Sequence, residues 1–178
     1  MYNFTIAQMF GVLGIVFSVL SMQMKTKRNI MIMLLCLNLA SALNFLFLDS
    51  VSGSLVCFFA VIETFINYLF DSKNKQVPFY IIVFYIVVNL ILGISTYNYF
   101  LDIIPIACAL LFCATVCTKN ESKIRKLMFG NQTLWLVYDV IVKAYMFSIS
   151  NILTLISIII AFYRFDYKKN KDNLITKN

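Results

Sequence analysis

The groups that could do chemistry in this chain are the few polar side chains inside its long apolar segments. Glu63 lies well within such a segment, with Asn67 four residues further along. A carboxylate in hydrocarbon is costly unless it meets a partner or water, so each such residue is a candidate site. One interpretation is a cation or proton site that faces a central cavity. The equal alternative is a protonated carboxyl packed against polar groups of a neighbouring helix.

Other polar side chains recur in stripes with helical spacing, so that each stripe occupies one helix face. The stripes are Asn38, Ser41 and Asn44; Asn131, Trp135 and Tyr138; and Asn151, Thr154 and Ser157. Hydrogen bonding between helices is the commoner use of a single Ser or Thr in membranes, whereas the combined Asn and aromatic set favours a cavity. The predicted substrate-binding residues are Asn38, Asn44, Glu63, Asn67, Asn131, Trp135, Tyr138 and Asn151.

The segment that contains Asn131, Trp135 and Tyr138 has two further candidate features, one near its centre and one near its outer end. Trp135, the only Trp, lies near mid-span, where it offers a flat face to a ring or a cation; core packing is the equal alternative. Asp139 and Lys143 stand four residues apart in the order that favours a helical ion pair. We predict that this pair is structural or lines an outer vestibule.

The residue types leave little room for catalysis. The chain has no His, and its five Cys all fall in apolar segments, where buried free thiols are the usual state. Cys113 and Cys117 form a CxxxC without a partner motif, so helix packing is favoured over metal binding. With no HExxH-like motif and no plausible triad, we expect no enzyme activity, no metal and no cofactor.

The elements that must position these groups are transmembrane helices. Of 178 residues, 61% are apolar and 13% are charged, which is about half the charge that a soluble domain carries. Apolar runs predict seven spans, at residues 6–22, 29–48, 51–70, 78–95, 101–118, 123–146 and 149–165. Six helices are excluded because 29–70 would be far too long for one crossing, so residues 48–53 must form a turn.

The basic residues predict the orientation. Fourteen of the 15 Lys and Arg residues follow the odd-numbered spans, and only Lys143 falls on the other side. The positive-inside rule places that side in the cytoplasm, with the N-terminus outside and the C-terminus cytoplasmic. Because these charges are loop clusters between apolar runs, the net charge of +7 does not indicate nucleic-acid binding. We expect membrane lipid as the surrounding partner.

The two halves of the chain have the same layout. Sliding the sequence by about 95 residues aligns Asn44 with Asp139 and Phe70 with Phe165 without a gap. This predicts an all-α membrane domain over 1–178: a three-helix repeat (6–70), a linker helix (78–95), a parallel second repeat (101–165) and a solvated cytoplasmic tail (168–178). The 3+1+3 layout is similar to that of the SWEET, PQ-loop and PnuC-type transporters.

A closer resemblance lies in short motifs along most of the chain. They are the opening Ala7-Gln8-Met9-Phe10-Gly11-Val12-Leu13-Gly14, the basic loop at 25–28, the run from Gly53 that closes in Ile62-Glu63-Thr64, Ile104-Pro105, and Leu134-Trp135-Leu136-Val137-Tyr138-Asp139. These resemble the YgjV-type bacterial inner-membrane proteins. Glu63 and the Tyr138-Asp139 pair differ from that pattern. The resemblance implies a bacterial inner-membrane location and a SWEET-like bundle.

The function that these features favour is transport. We predict a small-solute carrier or facilitator whose pathway lies between the repeats, with a small neutral-polar or cationic solute as substrate because of the carboxylates. Assembly into a homo-oligomer is an expectation by analogy with SWEET-like carriers. The alternative is a non-transporting inner-membrane scaffold or regulatory protein, in which the polar stripes would pair helix to helix around a dry interior.

Overall fold

The chain is helical throughout the part that the computed structural model describes, which comprises residues 2–47, 51–95, 100, 103–141 and 145–167. These residues form seven α-helices, the last of which continues into a π-helical turn (Phe162–Tyr167). The helices are α1 (Tyr2–Gln23), α2 (Lys27–Phe47), α3 (Val51–Ser72), α4 (Phe79–Ser95), α5 (Ile103–Cys117), α6 (Glu121–Ile141) and α7 (Tyr145–Ala161).

The described helices have the apolar composition and the exposed apolar side chains that are typical of membrane-embedded helices. Four segments are long and apolar enough to cross a membrane: Thr5–Gln23, Lys27–Phe47, Ser54–Ser72 and Phe147–Phe165. The shorter helices α4 and α5 are also strongly apolar. Large apolar side chains cover the outward faces, with Val12 and Ile91 each 60% exposed. Such a surface is unfavourable in water and natural in lipid, so the chain is an all-helical membrane protein.

One predicted helix boundary is wrong, and another is confirmed. The sixth span was predicted to run to residue 146, but α6 ends at Ile141 and Tyr145 already belongs to α7. The prediction failed because no Gly or Pro marks the break in this mostly apolar segment. The predicted start of the third span at Val51 is confirmed, because α3 begins there, so residues 51–53 belong to the helix and not to the turn predicted over 48–53. Ser54 donates a hydrogen bond to the Ala42 carbonyl at 3.1 Å and so fixes the start of α3 against α2. Residues 48–50 and 168–178 lie outside the described part.

Six of the described helices form a closed ring of contacts, and α4 packs beside it. α1 packs on α2, α2 on α3, α3 on α5, α5 on α6, α6 on α7, and α7 on α1, while α4 packs mainly on α5 and also touches α3. The approach of α4 to α5 depends on Gly93, since a Cβ at this position would lie 2.6 Å from the Ile106 side chain. An apolar core joins α1, α2, α6 and α7 around Met22, Ile124 and Ile158.

Several basic segments meet at one end of the bundle, which we call the basic end. Lys27 forms an ion pair with Asp71 at 3.4 Å, and its backbone N–H donates to the Glu121 carboxylate at 3.3 Å. Arg125 donates to the Met24 carbonyl at 3.0 Å, and its guanidinium lies 4.9 Å from the Phe165 ring centre. The segments that follow α1, α3, α5 and α7 therefore lie side by side.

Candidate functional site

A cavity of about 320 Å³ lies at the basic end among α2, α3, α4 and α5. We call it the basic-end cavity. Its lining residues are Lys27, Asn67, Asp71, Lys75, Gln76, Val77, Ile82, Cys117 and Lys119. Lys75, Gln76 and Lys119 are exposed to solvent, whereas Lys27 and Asn67 are buried. The cavity therefore leads from the surface of the basic end to a buried amide.

The end of α3 fixes one wall of this cavity. The Lys75 N–H donates to the Phe70 carbonyl and the Asn74 N–H to the Asp71 carbonyl, both at 2.9 Å. Asn74 has a left-handed φ of 54°, a conformation that Asn tolerates better than most residues. This is a Schellman motif, which ends the helix and satisfies its last carbonyls. It holds Asp71 on the last turn of α3 and Lys75 just beyond it, both at the cavity wall.

Beneath the cavity lies a buried cluster of Glu63, Asn67, Tyr85 and Asn89, which we call the α3–α4 cluster. Asn89 donates to the Glu63 carboxylate at 2.7 Å. Asn67 donates through Nδ2 to the Glu63 backbone carbonyl at 2.8 Å and to the Tyr85 hydroxyl at 3.5 Å. Each of the four side chains is at most 6% exposed. Glu63 thus sits one helical turn below the floor residue of the cavity, with its carboxylate held by an amide from α4.

Two members of the α3–α4 cluster were missed in the sequence. Tyr85 and Asn89 lie on α4, which was interpreted only as a linker. The available signal was their spacing of four residues inside an otherwise apolar helix, continued by Gly93, which places all three on one face. These positions face α3 and α5, where the burial of polar atoms requires a partner.

The remaining predicted residues form separate groups. Asn151 donates to the Asp139 carboxylate at 2.7 Å, and the Trp135 and Tyr138 rings stand edge to face with centroids 5.9 Å apart. Lys143, the proposed partner of Asp139, lies outside the described residues.

Three of the predicted asparagines bond across helix interfaces. Asn44 donates to the Ala7 carbonyl and Asn131 to the Cys108 carbonyl, each at 2.6 Å. Asn38 donates to the Thr64 hydroxyl at 3.4 Å. Of the eight predicted substrate-binding residues, Asn67 alone lines the basic-end cavity. The cavity instead uses Lys27, Lys75 and Lys119, which had been interpreted only as signals of orientation, and Asp71, which had not been singled out.

Hydrogen bonds close the opposite side of the bundle, between α1 and α7. The Ser18 and Thr154 hydroxyls share a bond of 2.9 Å. Gln23 donates to the Ser157 carbonyl at 2.7 Å, and Ser157 donates to the Val19 carbonyl at 2.7 Å. Thr154 and Ser157 therefore join helices and do not face the basic-end cavity.

Comparison with known proteins gives one match. The model of the family described as Imp-YgjV, bacterial inner membrane protein, matches residues 5–169. This range contains most of α1 and all of the other six helices. No curated protein and no solved structure matches the chain.

Proposed function

Because the chain belongs to the Imp-YgjV family of bacterial inner membrane proteins, we propose that it carries a small polar solute across that membrane. The observation that carries the proposal is the basic-end cavity, whose floor is a fully buried amide one turn from the Glu63 carboxyl. Burying Glu63, Asn67 and Asn89 together in a lipid-embedded bundle is costly, and intramembrane polar groups of this kind mark solute and ion pathways.

The proposed orientation follows from the charges. The described contacts of Lys27 and Arg125 gather basic segments at one end, and the positive-inside rule assigns such an end to the cytoplasm. Seven crossings then place the N-terminus outside. The basic-end cavity is, in this proposal, the cytoplasmic entrance of the pathway.

The contact order supports the proposed two-unit arrangement. Exchanging α1, α2 and α3 with α5, α6 and α7 leaves the set of contacts among these six helices unchanged, since α1–α2 becomes α5–α6, α2–α3 becomes α6–α7, and α1–α7 becomes α5–α3. This is the relation that two parallel repeats about an axis along the membrane normal would have. Alternating access would come from one unit rocking against the other, with α4 between α3 and α5.

Reconstitution into proteoliposomes tests the proposal. The assay measures uptake of labelled glycerol 3-phosphate, ribose, alanine and choline, which together cover anionic, neutral, zwitterionic and cationic solutes. Glu63→Gln and Trp135→Ala should each abolish uptake of the transported solute while the protein stays folded and monodisperse. Phe65→Ala and Phe129→Ala are the controls because their side chains, 49% and 40% exposed, face outward from the same helices.

Two results would count against the proposal. Uptake of every solute at the rate of protein-free liposomes would argue against transport of these classes. Wild-type uptake by both Glu63→Gln and Trp135→Ala would remove the roles proposed for these side chains.

A further inference from the structure

We infer that the basic-end cavity binds a small solute through an anionic group, a phosphate or a carboxylate, and through a hydrogen-bond donor on the same molecule. The inference deepens the proposed function and rests on it for the role of the cavity as an entrance. Binding itself is a separate property and is tested separately.

The charges that line the cavity favour an anion. Among the lining residues, Lys27, Lys75 and Lys119 are opposed by Asp71, so the lining itself carries two net positive charges. Asp71 is already paired with Lys27 at 3.4 Å. In the described part of the chain, Lys75 and Lys119 have no carboxylate within ion-pair distance, and both are exposed at the mouth. Ammonium groups so placed are ready donors to an anionic oxygen.

The floor of the cavity presents a hydrogen-bond acceptor that a donor group of a solute could satisfy. Asn67 is fully buried, and its Oδ1 accepts no hydrogen bond from the described residues. The amide cannot simply be turned over, because its Nδ2 donates to the Glu63 carbonyl and the Tyr85 hydroxyl. A flip would set two carbonyl oxygens against each other. A buried acceptor left unmet is costly, and a hydroxyl or amine of a solute would satisfy it.

This assignment reverses the preference drawn from the sequence. Glu63 and Asp139 had suggested a neutral or cationic solute. In the structure their carboxylates accept hydrogen bonds from Asn89 and Asn151, and neither residue lines the cavity. The volume of about 320 Å³ lies at the lower end of the range for ligand pockets, which limits the solute to a small molecule.

Binding to the purified protein in a neutral detergent tests the inference, with glycerol 3-phosphate as the probe because it combines a phosphate with hydroxyl donors. It should bind saturably, more tightly than inorganic phosphate, and more weakly as salt is added. Lys75→Gln/Lys119→Gln should weaken binding about tenfold, as expected for the loss of two exposed charge contacts of about 0.7 kcal/mol each. The control Lys123→Gln/Lys126→Gln removes two exposed charges of the same end that do not line the cavity.

A substitution at Asn67, the floor residue, tests the role of the hydrogen-bond donor on the solute. Asn67→Leu should remove the advantage of glycerol 3-phosphate over inorganic phosphate and leave phosphate binding unchanged. The lysine variants decide the anionic part even where Asn67→Leu does not fold, because Lys75 and Lys119 are exposed. No saturable binding of either probe, or equal weakening by the two lysine double variants, would overturn the inference.

Two further experiments follow. The first distinguishes a lipid headgroup from a free solute as the source of the anion, and the second distinguishes failure of the transport proposal from failure of the binding inference. In nanodiscs, loss of glycerol 3-phosphate binding in phosphatidylglycerol but not in phosphatidylcholine identifies a lipid headgroup as the occupant, and binding in both identifies a free solute. Both outcomes support the anionic site. Binding without uptake in proteoliposomes refutes the transport proposal alone, whereas normal uptake together with glycerol 3-phosphate binding that is unchanged in Lys75→Gln/Lys119→Gln refutes the present inference alone.

Discussion

The sign of the potential inside the basic-end cavity can be read through Cys117, which lines it. We consider a variant in which the other four cysteines are replaced by Ala, so that only this thiol reacts. Two methanethiosulfonates, the anionic sulfonatoethyl and the cationic trimethylammonioethyl reagents, form the same kind of disulfide with it. Because both react with one thiol, the ionisation of that thiol cancels in the ratio of the two rates.

The expected ratio follows from the lining charges. A spherical cavity of 320 Å³ is about 8 Å across, and at that distance in water one unit charge contributes about 0.5 kcal/mol. Two net positive charges therefore favour the anionic reagent by about 1 kcal/mol and disfavour the cationic one equally, which is a ratio of roughly thirtyfold. At 0.15 M salt, screening reduces the difference to about a third and the ratio to about threefold or fourfold.

The assay is stopped-flow or quenched labelling followed by mass spectrometry, with each rate divided by that of the reagent with a small free thiol. Adding Lys75→Gln/Lys119→Gln should bring the ratio close to one at every salt concentration. Adding Lys123→Gln/Lys126→Gln should leave it nearly unchanged. A ratio of one at low salt would refute the positive cavity, and an equal fall in both double variants would show that the basic end as a whole, and not the cavity, sets the potential.

Two further predictions concern stability, measured by chemical unfolding in detergent. Gly93→Ala should lower the free energy of unfolding by about 1–3 kcal/mol, because the new Cβ would overlap an α5 side chain. The control is Gly130→Ala, whose Cβ meets nothing within 4 Å and which should be neutral or stabilising. Equal losses of stability in both variants would contradict the packing argument. Arg125→Gln should lower the free energy of unfolding by about 2 kcal/mol, because the contacts of the guanidinium with the Met24 carbonyl and the Phe165 ring are lost. Lys126→Gln, at an exposed position, should change the free energy of unfolding by no more than about 0.5 kcal/mol. An unchanged stability of Arg125→Gln would show that the buried guanidinium does not stabilise the bundle.

The membrane class and the helix number could be predicted because they depend on patterns that extend over many residues. Long apolar runs and the clustering of Lys and Arg each combine many positions, so no single residue decides the outcome. The α6–α7 boundary could not be predicted in this way. The segment from Val137 to Ile149 is mostly apolar with scattered polar residues, and it contains no Gly or Pro that would mark where one helix ends and the next begins.

The cavity was harder to predict for a different reason. Lys27 and Arg125 are loop charges by sequence, yet they are 6% and 1% exposed in the bundle. Which loop charges turn inward depends on which helices pack together, and that is set by contacts such as those of Asp71 and Met24, far away in the chain. The asparagines show the same dependence: Asn44 and Asn131 have the pattern of a cavity stripe but are used for bonds between helices.

The position of the α3–α4 cluster has a physical reason, which a comparison of α3 with α7 makes clear. Under the offset of 95 residues, Glu63 aligns with Ile158 and Asn67 with Phe162, so α7 and its π-helical turn have apolar side chains where α3 has polar ones. Of α3 and α7, α3 is the helix that packs on α4. α4 provides the Asn89 amide and the Tyr85 hydroxyl that satisfy the buried groups of α3. The equivalent surface of α7 packs on α1, where Ile158 belongs to the apolar core. A carboxyl at position 158 would have no such partners, and an apolar residue at 63 would leave Asn89 without its acceptor. The packing of α4 on α3 thus explains why the Glu63 carboxyl and its amide partners lie on the α3–α4–α5 side, which is also the side on which the basic-end cavity opens.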